Sequence, residues 1–356
     1  MTESPNLLDD VALAPWLEAN VRGFEDLHEI RKFDTGQSNP TYLVTAKSGR
    51  YALRAKPPGE LLKSAHQVDR EFRVMRALAD TPVPVPRTFA LCGDDESPIG
   101  RMFFVMEYLD GRIFWDPALH ELVGDDSRAT RGAIYNSMNE ALAMLHDVDV
   151  DGIGLSDFGV HGNYFERQFV RWTKQYAASE IDRIDDIHTL IDWLGSRIPP
   201  DDGQFCLVHG DYRLDNMVFA KDSARILGIL DWELSTIGHP LGDLAYQCMQ
   251  WRLPHKGGFR GLGGIDREKI GIPSEADYVA AYCRRRGLNG IDHWHFYLAF
   301  SFFRLAAILQ GVYKRSVDGN ASNPERARTY AAAVPQMGRM AVEMIRNEAP
   351  QAGFST

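Results

Sequence analysis

Apolar residues recur at two different periods along this chain, and the change of period divides it. In the first hundred residues, short runs rich in β-branched and aromatic residues (LHEIRKFD, TYLVTAK, RYALRAK) are separated by the turn-forming segments GQSNP and SGR. Runs of this kind predict an antiparallel meander. Two further runs, RTFALC and RMFFVMEYL, flank the acidic turn GDDESP. Between the two sets, Val68, Phe72, Met75 and Ala79 recur at helical intervals within SAHQVDREFRVMRALAD, with Ser64 and Gln67 at capping-box spacing. One amphipathic helix is predicted there. Five strands and one helix make a first lobe over residues 1–106.

Beyond Gly111 the period lengthens. Helices are predicted over residues 128–147, 165–178, 183–197, 241–251, 276–286, 293–314 and 324–347, interrupted only by the strand-like runs FCLVHGD, NMVFA and ARILGILDW. The expected fold is therefore α+β: residues 1–106 as one lobe, 107–111 as a connector, and 112–356 as a mainly helical second lobe. A chain of 356 residues is also longer than one ordinary core accommodates. The Gly-rich stretch 254–273 is the longest expected loop, either a mobile substrate cover or a variable surface excursion. The apolar run 295–312 is broken by Arg304 and Gln310, which predicts a buried helix rather than a membrane span.

Composition narrows the partners. The formal net charge of −10 argues against a nucleic-acid or anionic-membrane surface. Cys92, Cys206, Cys248 and Cys283 have neither CxxC nor metal-ligand spacing, so reduced structural thiols are expected. The polar, acidic start MTESPNLLDD has no basic-then-apolar leader pattern, and a cytoplasmic location is expected. Nothing in the sequence sets the oligomeric state.

The densest polar signal is LVHGDYRLDNMVF followed by ILGILDWE. An HGD tripeptide alone is an ordinary strand-end turn. Its company gives it chemical content, because Asn216 follows Asp211 by five positions and Asp231 ends the next strand. Phosphoryl transfer needs one carboxylate to orient an acceptor hydroxyl and take its proton, and oxygen ligands to hold magnesium against the ATP phosphates. The spacing matches the catalytic loop of protein kinases, with Asp211 as the proton acceptor and Asn216 and Asp231 as the metal ligands.

HGDYRLDN, LDWE and GHPLGDLA together resemble the aminoglycoside phosphotransferase family of kinase-like enzymes. LRAKPPG, VDREFRVMRAL and FVMEYLDGR resemble more closely the kinase-like domain fused to acyl-CoA dehydrogenases of families ten and eleven, and the likeness runs from about Phe33 to Tyr282. The resemblance implies a bilobal, protein-kinase-like fold that binds ATP and magnesium. It implies that TGQSNPTY covers the phosphates through Gly36, Ser38 and Asn39, although GxGxxG is missing. It places Arg54 where the phosphate-gripping lysine of VAIK stands, with Glu71 as its ion-pair partner; Lys56, on the same strand face by alternation, is the rival. VMEYLDG takes the form of the inter-lobe hinge, in which Met106 lines the adenine pocket and Glu107 and Leu109 present backbone groups to the base. His209 and Asp243 are read as supports of the catalytic loop.

Only twelve positions separate Asp231 from Asp243, too few for a long activation segment, so a small-molecule hydroxyl substrate is expected rather than a protein. Trp251, Trp294, Phe296, Tyr297, Phe302 and Phe303, with Arg304 and Arg284 to Arg286, are either the lining of an apolar or anionic acceptor pocket or plain helix core. The resemblance favours a hydroxyacyl-CoA. The alternatives are a nucleotide-binding pseudokinase, a choline- or homoserine-type kinase, or an aminoglycoside kinase, the last needing an acidic pocket for which no acidic run is evident.

Overall fold

The computed structural model describes residues 8–33, 39–58, 67–256, 259–319, 324–347 and 354–355. In chain order the elements of the first part are α1 (Asp10–Asn20), β1 (Leu27–Lys32), β2 (Thr41–Ala46), β3 (Gly49–Ala55), α2 (Val68–Leu78), β4 (Thr88–Cys92) and β5 (Phe103–Glu107). There follow α3 (Ser127–His146), α4 (Tyr164–Ser179), α5 (Asp185–Gly195), β6 (Cys206–Val208), β7 (Met217–Phe219), β8 (Ile226–Ile229), β9 (Thr236–Gly238) and α6 (Pro240–Cys248). The chain closes with α7 (Arg267–Ile270), α8 (Glu275–Arg286), β10 (Gly290–Ile291), α9 (Trp294–Val317), α10 (Pro324–Asn347) and β11 (Phe354–Ser355). Two compact units result, one of Met1–Ile113, Ile153–Leu155 and Asn216–Ser235, the other of Phe114–Gly152, Ser156–Asp215 and Thr236–Thr356.

The first unit is built on a five-stranded antiparallel sheet of order β1-β2-β3-β5-β4. The meander holds through β3, after which β5 takes the inner place and β4 the edge. Tyr51, Leu53 and Ala55 of β3 alternate into a core completed by Leu13 and Leu17 of α1 and by Phe103 and Val105 of β5. The pleat therefore turns Ala52 and Arg54 to the opposite face, where Phe72 of α2 packs on Phe104 with ring centroids 5.9 Å apart.

Helix α1 was not expected from the sequence. Asp9 caps it by accepting a hydrogen bond from the Ala12 N–H at 3.1 Å, and Leu13 and Leu17 form its buried stripe. Pro15 inside it masks the helical signal. Helix α2 starts at Val68, with Gln67 at the N-cap making no side-chain capping bond; Ser64 lies outside the described residues.

The β7–β8 hairpin belongs to the first unit, not to the second as the expected boundary at 112 had it. Backbone pairing explains this: Arg112 N–H donates to the Phe219 carbonyl at 2.7 Å and Ile229 N–H to the Pro84 carbonyl at 2.9 Å. Gly228 permits the approach, since a Cβ there would stand 2.4 Å from Leu109.

The second unit is mainly helical, and α3, α4, α5, α6, α8, α9 and α10 fall close to their expected ranges. Its centre is α9, long and apolar enough to cross a membrane but with most of that apolar stretch buried inside the protein. A two-stranded pairing of β6 with β9 carries the polar motif; the three-residue β9 was not foreseen. The 254–273 stretch contains α7 and approaches α3 so closely at Gly271 that a Cβ there would lie 2.3 Å from the Arg128 carbonyl oxygen. All four cysteines are buried free thiols.

Candidate active site

The expected site residues fall into two groups, each within one unit. In the first unit Arg54 is the hub. Its Nε lies 2.8 and 3.1 Å from the two carboxylate oxygens of Glu71, and its Nη2 lies 2.5 Å from Asp231 Oδ1. Glu71 stands on the apolar stripe of α2 with Val68, Phe72, Met75 and Leu78 and is 1% exposed. A carboxylate on a buried face is costly unless paired, and the geometry shows the pairing. Burial pushes the Glu71 carboxyl up to about 7 while Arg54 pulls against it. Burial by itself would lower the Arg54 pKa, but Glu71, Asp231 and Glu233 more than offset this and keep the guanidinium charged.

One guanidinium therefore faces three carboxylates. Donor oxygens of Glu71, Asp231 and Glu233 all lie within 4.8 Å of one another, a set whose hardness and excess negative charge suit a magnesium ion. Asp231, two residues past β8, lies in the left-handed region at φ 66° and ψ 58°, a conformation a non-glycine residue holds only against strain and one that clusters at functional sites. Asn216 closes a 3₁₀ turn (Leu214–Asn216), and its carbonyl accepts the Leu230 N–H at 2.8 Å, locking it to the end of β8. Glu233 was missed by sequence reasoning, although its place two residues after Asp231 in LDWE was visible.

Asn39 is buried and reaches inward: its Nδ2 donates to Glu71 Oε1 at 2.8 Å and lies 3.5 Å from Glu233 Oε2. Gly36 and Ser38 lie outside the described residues. Lys56 stands just past the end of β3, and its Nζ pairs with Asp94 at 2.7 Å, so alternation does not bring it to the carboxylates that hold Arg54. Met106 is buried in β5, opposite Ala52 and Thr88. The Glu107 N–H already donates to the Arg87 carbonyl at 2.8 Å, which removes that donor from the hinge reading, while the Leu109 carbonyl accepts from Gly111 at 3.0 Å.

In the second unit the HGD turn is held from below. Gly210 takes φ 83°, which favours glycine. Asp243, in the first turn of α6, accepts the backbone N–H groups of His209 at 2.6 Å and Gly210 at 2.8 Å. Burial pushes its carboxyl up, but His146, His209 and the Gly210 amide more than offset this and hold it below the usual carboxylate range. The fully buried His209 accepts the Asp211 N–H on Nδ1 at 3.1 Å. The Arg304 guanidinium donates to the Gly210 carbonyl at 2.5 Å and lies over the rings of Tyr246 and Trp172.

His146, which sequence reasoning missed, completes the brace. Its Nε2 faces Asp243 Oδ2 at 3.4 Å and its Nδ1 faces the Tyr282 hydroxyl at 2.7 Å. A carboxylate only accepts, so Nε2 carries the proton and Nδ1 accepts from Tyr282. Burial holds the His146 ring below its ordinary pKa, with Asp243 pulling it back up.

Asp211 itself, partly exposed, puts its charge near the buried Tyr246 hydroxyl, which helps to raise that hydroxyl's pKa after burial, and has Arg213 Nε 3.9 Å from its Oδ2; Arg213 is also paired to Asp215. Neither Tyr246 nor Arg213 was singled out beforehand, and their places inside GDLAYQ and HGDYR were the signal.

The aromatic residues considered for an acceptor pocket are core. Trp251, Trp294, Phe296, Tyr297, Phe302 and Phe303 are all buried. Arg304 is buried on the HGD turn, Arg285 bonds Asn139 and Asn136, and Arg286 bonds Asp147. These groups serve packing and pairing, as helix stripes usually do.

Comparison with known proteins gives the family and the fold. The model of the phosphotransferase enzyme family matches residues 29–297. Mouse acyl-CoA dehydrogenase family member 10 is 47% identical over 313 residues, which is 86% of this chain but 29% of that protein. The chain spans less than half the length of the curated relatives it matches. A solved chain from Ralstonia eutropha, assigned to the aminoglycoside phosphotransferases, is 45% identical, with a TM-score of 0.86 over 97% of this chain and 100% of its own. An aminoglycoside phosphotransferase solved with AMP-PNP and hygromycin B shares the fold at 16% identity, with a TM-score of 0.62 over 96% of this chain and 100% of its own. The chain belongs to the phosphotransferase enzyme family, with the kinase-like fold of its solved relatives.

Proposed function

We propose that this protein is a magnesium- and ATP-dependent small-molecule kinase whose acceptor is a hydroxyacyl-CoA. The observation that carries the reading is the buried pair of Arg54 on β3 with Glu71 on α2, the arrangement in which a kinase holds its phosphate-gripping cation. Asp211 orients the acceptor hydroxyl and takes its proton. The acceptor oxygen then bonds to the γ-phosphorus as the bond to the β–γ bridging oxygen breaks, and ADP leaves. Asn216 and Asp231 are the residues to hold magnesium, with Glu233 beside Asp231 as a further oxygen donor and Glu71 left to Arg54; the ion would neutralise charge on the phosphates. Arg54 grips the α- and β-phosphates, Met106 lines the adenine site and the Leu109 N–H reads the base, with Gly36, Ser38 and Asn39 as further phosphate contacts. Buried free thiols fit a reducing, cytoplasmic setting.

ATP as donor is supported by the AMP-PNP held by a fold neighbour. The acceptor class is supported by the relatives named as acyl-CoA dehydrogenase family members, of which this chain matches a part. A second reading, a nucleotide-binding protein without turnover, is favoured by one observation, the arginine at position 54 already engaged by Asp231. A magnesium-ATP consumption screen over hydroxyacyl-CoAs, amino alcohols, sugars and aminoglycosides separates them. Turnover is expected with hydroxyacyl-CoAs. Nucleotide binding with no consumption in any arm would establish the second reading, and turnover with another class alone would replace the acceptor.

A further inference from the structure

The second unit contains a cluster with the donor chemistry of a different metal. Asp116 and His120, four residues apart ahead of α3, are joined side chain to side chain, His120 Nδ1 lying 2.7 Å from Asp116 Oδ2. His255 comes from a distant part of the chain and places its ring beside them, with the two imidazole centroids 5.0 Å apart and its Nδ1 3.9 Å from Asp116 Oδ1. One donor atom from each of the three side chains lies within 4.8 Å of the other two.

We infer that Asp116, His120 and His255 bind one divalent transition-metal ion of the zinc class. Two imidazoles and a carboxylate favour zinc, cobalt or nickel over magnesium or calcium, which prefer oxygen alone. The all-oxygen set of Glu71, Asp231 and Glu233 contrasts with it in donor type, so the two clusters select different ions. The backbone holds two of the three ligands in place. Asp116 Oδ1 accepts the Ala118 N–H at 3.0 Å, and the His255 N–H donates to the Gly263 carbonyl at 3.1 Å. His255 Nδ1 also lies 3.3 Å from the Gly261 carbonyl oxygen, a second contact that holds the ring in place. Metal–ligand bonds of about 2.0–2.2 Å set tetrahedral donors roughly 3.5 Å apart, so the His120–Asp116 pair must open and the wider pairs close by roughly 1 Å. His120, with 56% of its side chain exposed, has the rotational freedom to supply this movement. The bound ion ties the chain at His255 to the Asp116–His120 turn.

The test uses the metal-stripped full-length protein without nucleotide, titrated with zinc by calorimetry and with cobalt by visible absorption. One equivalent should bind, with cobalt giving the d–d bands of a nitrogen-ligated site. His120→Gln and His255→Gln should each weaken binding by roughly tenfold or more, and the double variant should abolish it. Asp231→Ala, in the oxygen cluster, should leave it unchanged. In the unsubstituted protein, zinc should protect His120 and His255 from ethoxycarbonylation, mapped by mass spectrometry, so the site is tested even where a variant fails to fold. Absence of stoichiometric binding, undiminished binding in the folded double variant, or unprotected His120 and His255 at saturating zinc each overturns the inference.

Discussion

The two charged centres of this molecule are constructed on opposite principles. In the first unit Arg54, Glu71, Asp231 and Glu233 leave more negative than positive charge in a small volume, so the centre is incomplete and responsive to a cation. In the second unit Asp243 is satisfied by two backbone amides and a neutral histidine, so the centre is closed and needs nothing from outside. The first arrangement reserves electrostatics for a ligand, whereas the second fixes the geometry of a loop. Substitutions should therefore report in different observables, binding for the first unit and stability for the second, with Asp211 the exception because its loop is fixed but its carboxylate is partly exposed.

The sharpest break in that comparison should come at Asp211. Asp211→Ala is expected to lower turnover by about 10²–10⁴, the usual cost of a positioned general base. Melting temperature and nucleotide affinity should stay near the parent values. Steady-state rates beside calorimetric nucleotide titration check this, and turnover within about tenfold of the parent would remove Asp211 from the chemistry.

Asp243→Ala should behave in the reverse way. It strands the amides of His209 and Gly210 in a buried site and leaves His146 without its acceptor. Unsatisfied buried groups cost about 1–3 kcal/mol each, so a loss of roughly 3 kcal/mol or more is expected in denaturant unfolding. An unchanged unfolding midpoint would show that the HGD turn is self-supporting.

Within the first unit, Arg54→Ala should raise the ATP KM and lower kcat, together by about tenfold or more in kcat/KM, if the proposed charge-assisted phosphate contact is what it removes. Lys56→Ala should change little, because Lys56 pairs with Asp94 instead. Kinetics on the two variants settle the pair. A severe Lys56 defect beside a silent Arg54 change would transfer the phosphate grip and undo the contrast between the two units.

How far these centres were legible in the sequence follows from the kind of signal each used. Asp211, Asn216 and Asp231 stand at fixed short spacing, and Glu71 sits on a helical stripe whose period is plain. Most helices of the second unit were readable for the same reason, as long periodic runs. Helix α1 was hidden by Pro15 and by a polar start, and β9 by its length of three residues. His146 and Arg304 were not legible as braces because their partners lie far along the chain, and only packing brings them to the HGD turn. The aromatic residues of α9 carried the composition of a binding pocket, and their burial decided against it.

The smallest expected effect tests whether the second centre is as closed as its geometry suggests. His146 is neutral in the folded protein, with its pKa lowered chiefly by burial. An unfolded chain carries the ordinary histidine value of about 6.5. As pH falls below that value the unfolded state takes up a proton that the folded state refuses, so stability is full above it and declines as pH drops. One group contributes a slope of at most about 1.4 kcal/mol per pH unit. Asp243 does not obscure this window, because its lowered pKa sets its own loss of stability at a more acidic pH. Denaturant unfolding between about pH 7.5 and 5.5, compared with His146→Gln, isolates the term. The variant should lose stability outright, since Gln fills the site less well, but its slope over that interval should be shallower than the parent's by up to about 1 kcal/mol per unit. Parallel slopes would mean that His146 titrates alike in both states, and the second centre would then be as open to protons as the first is to cations.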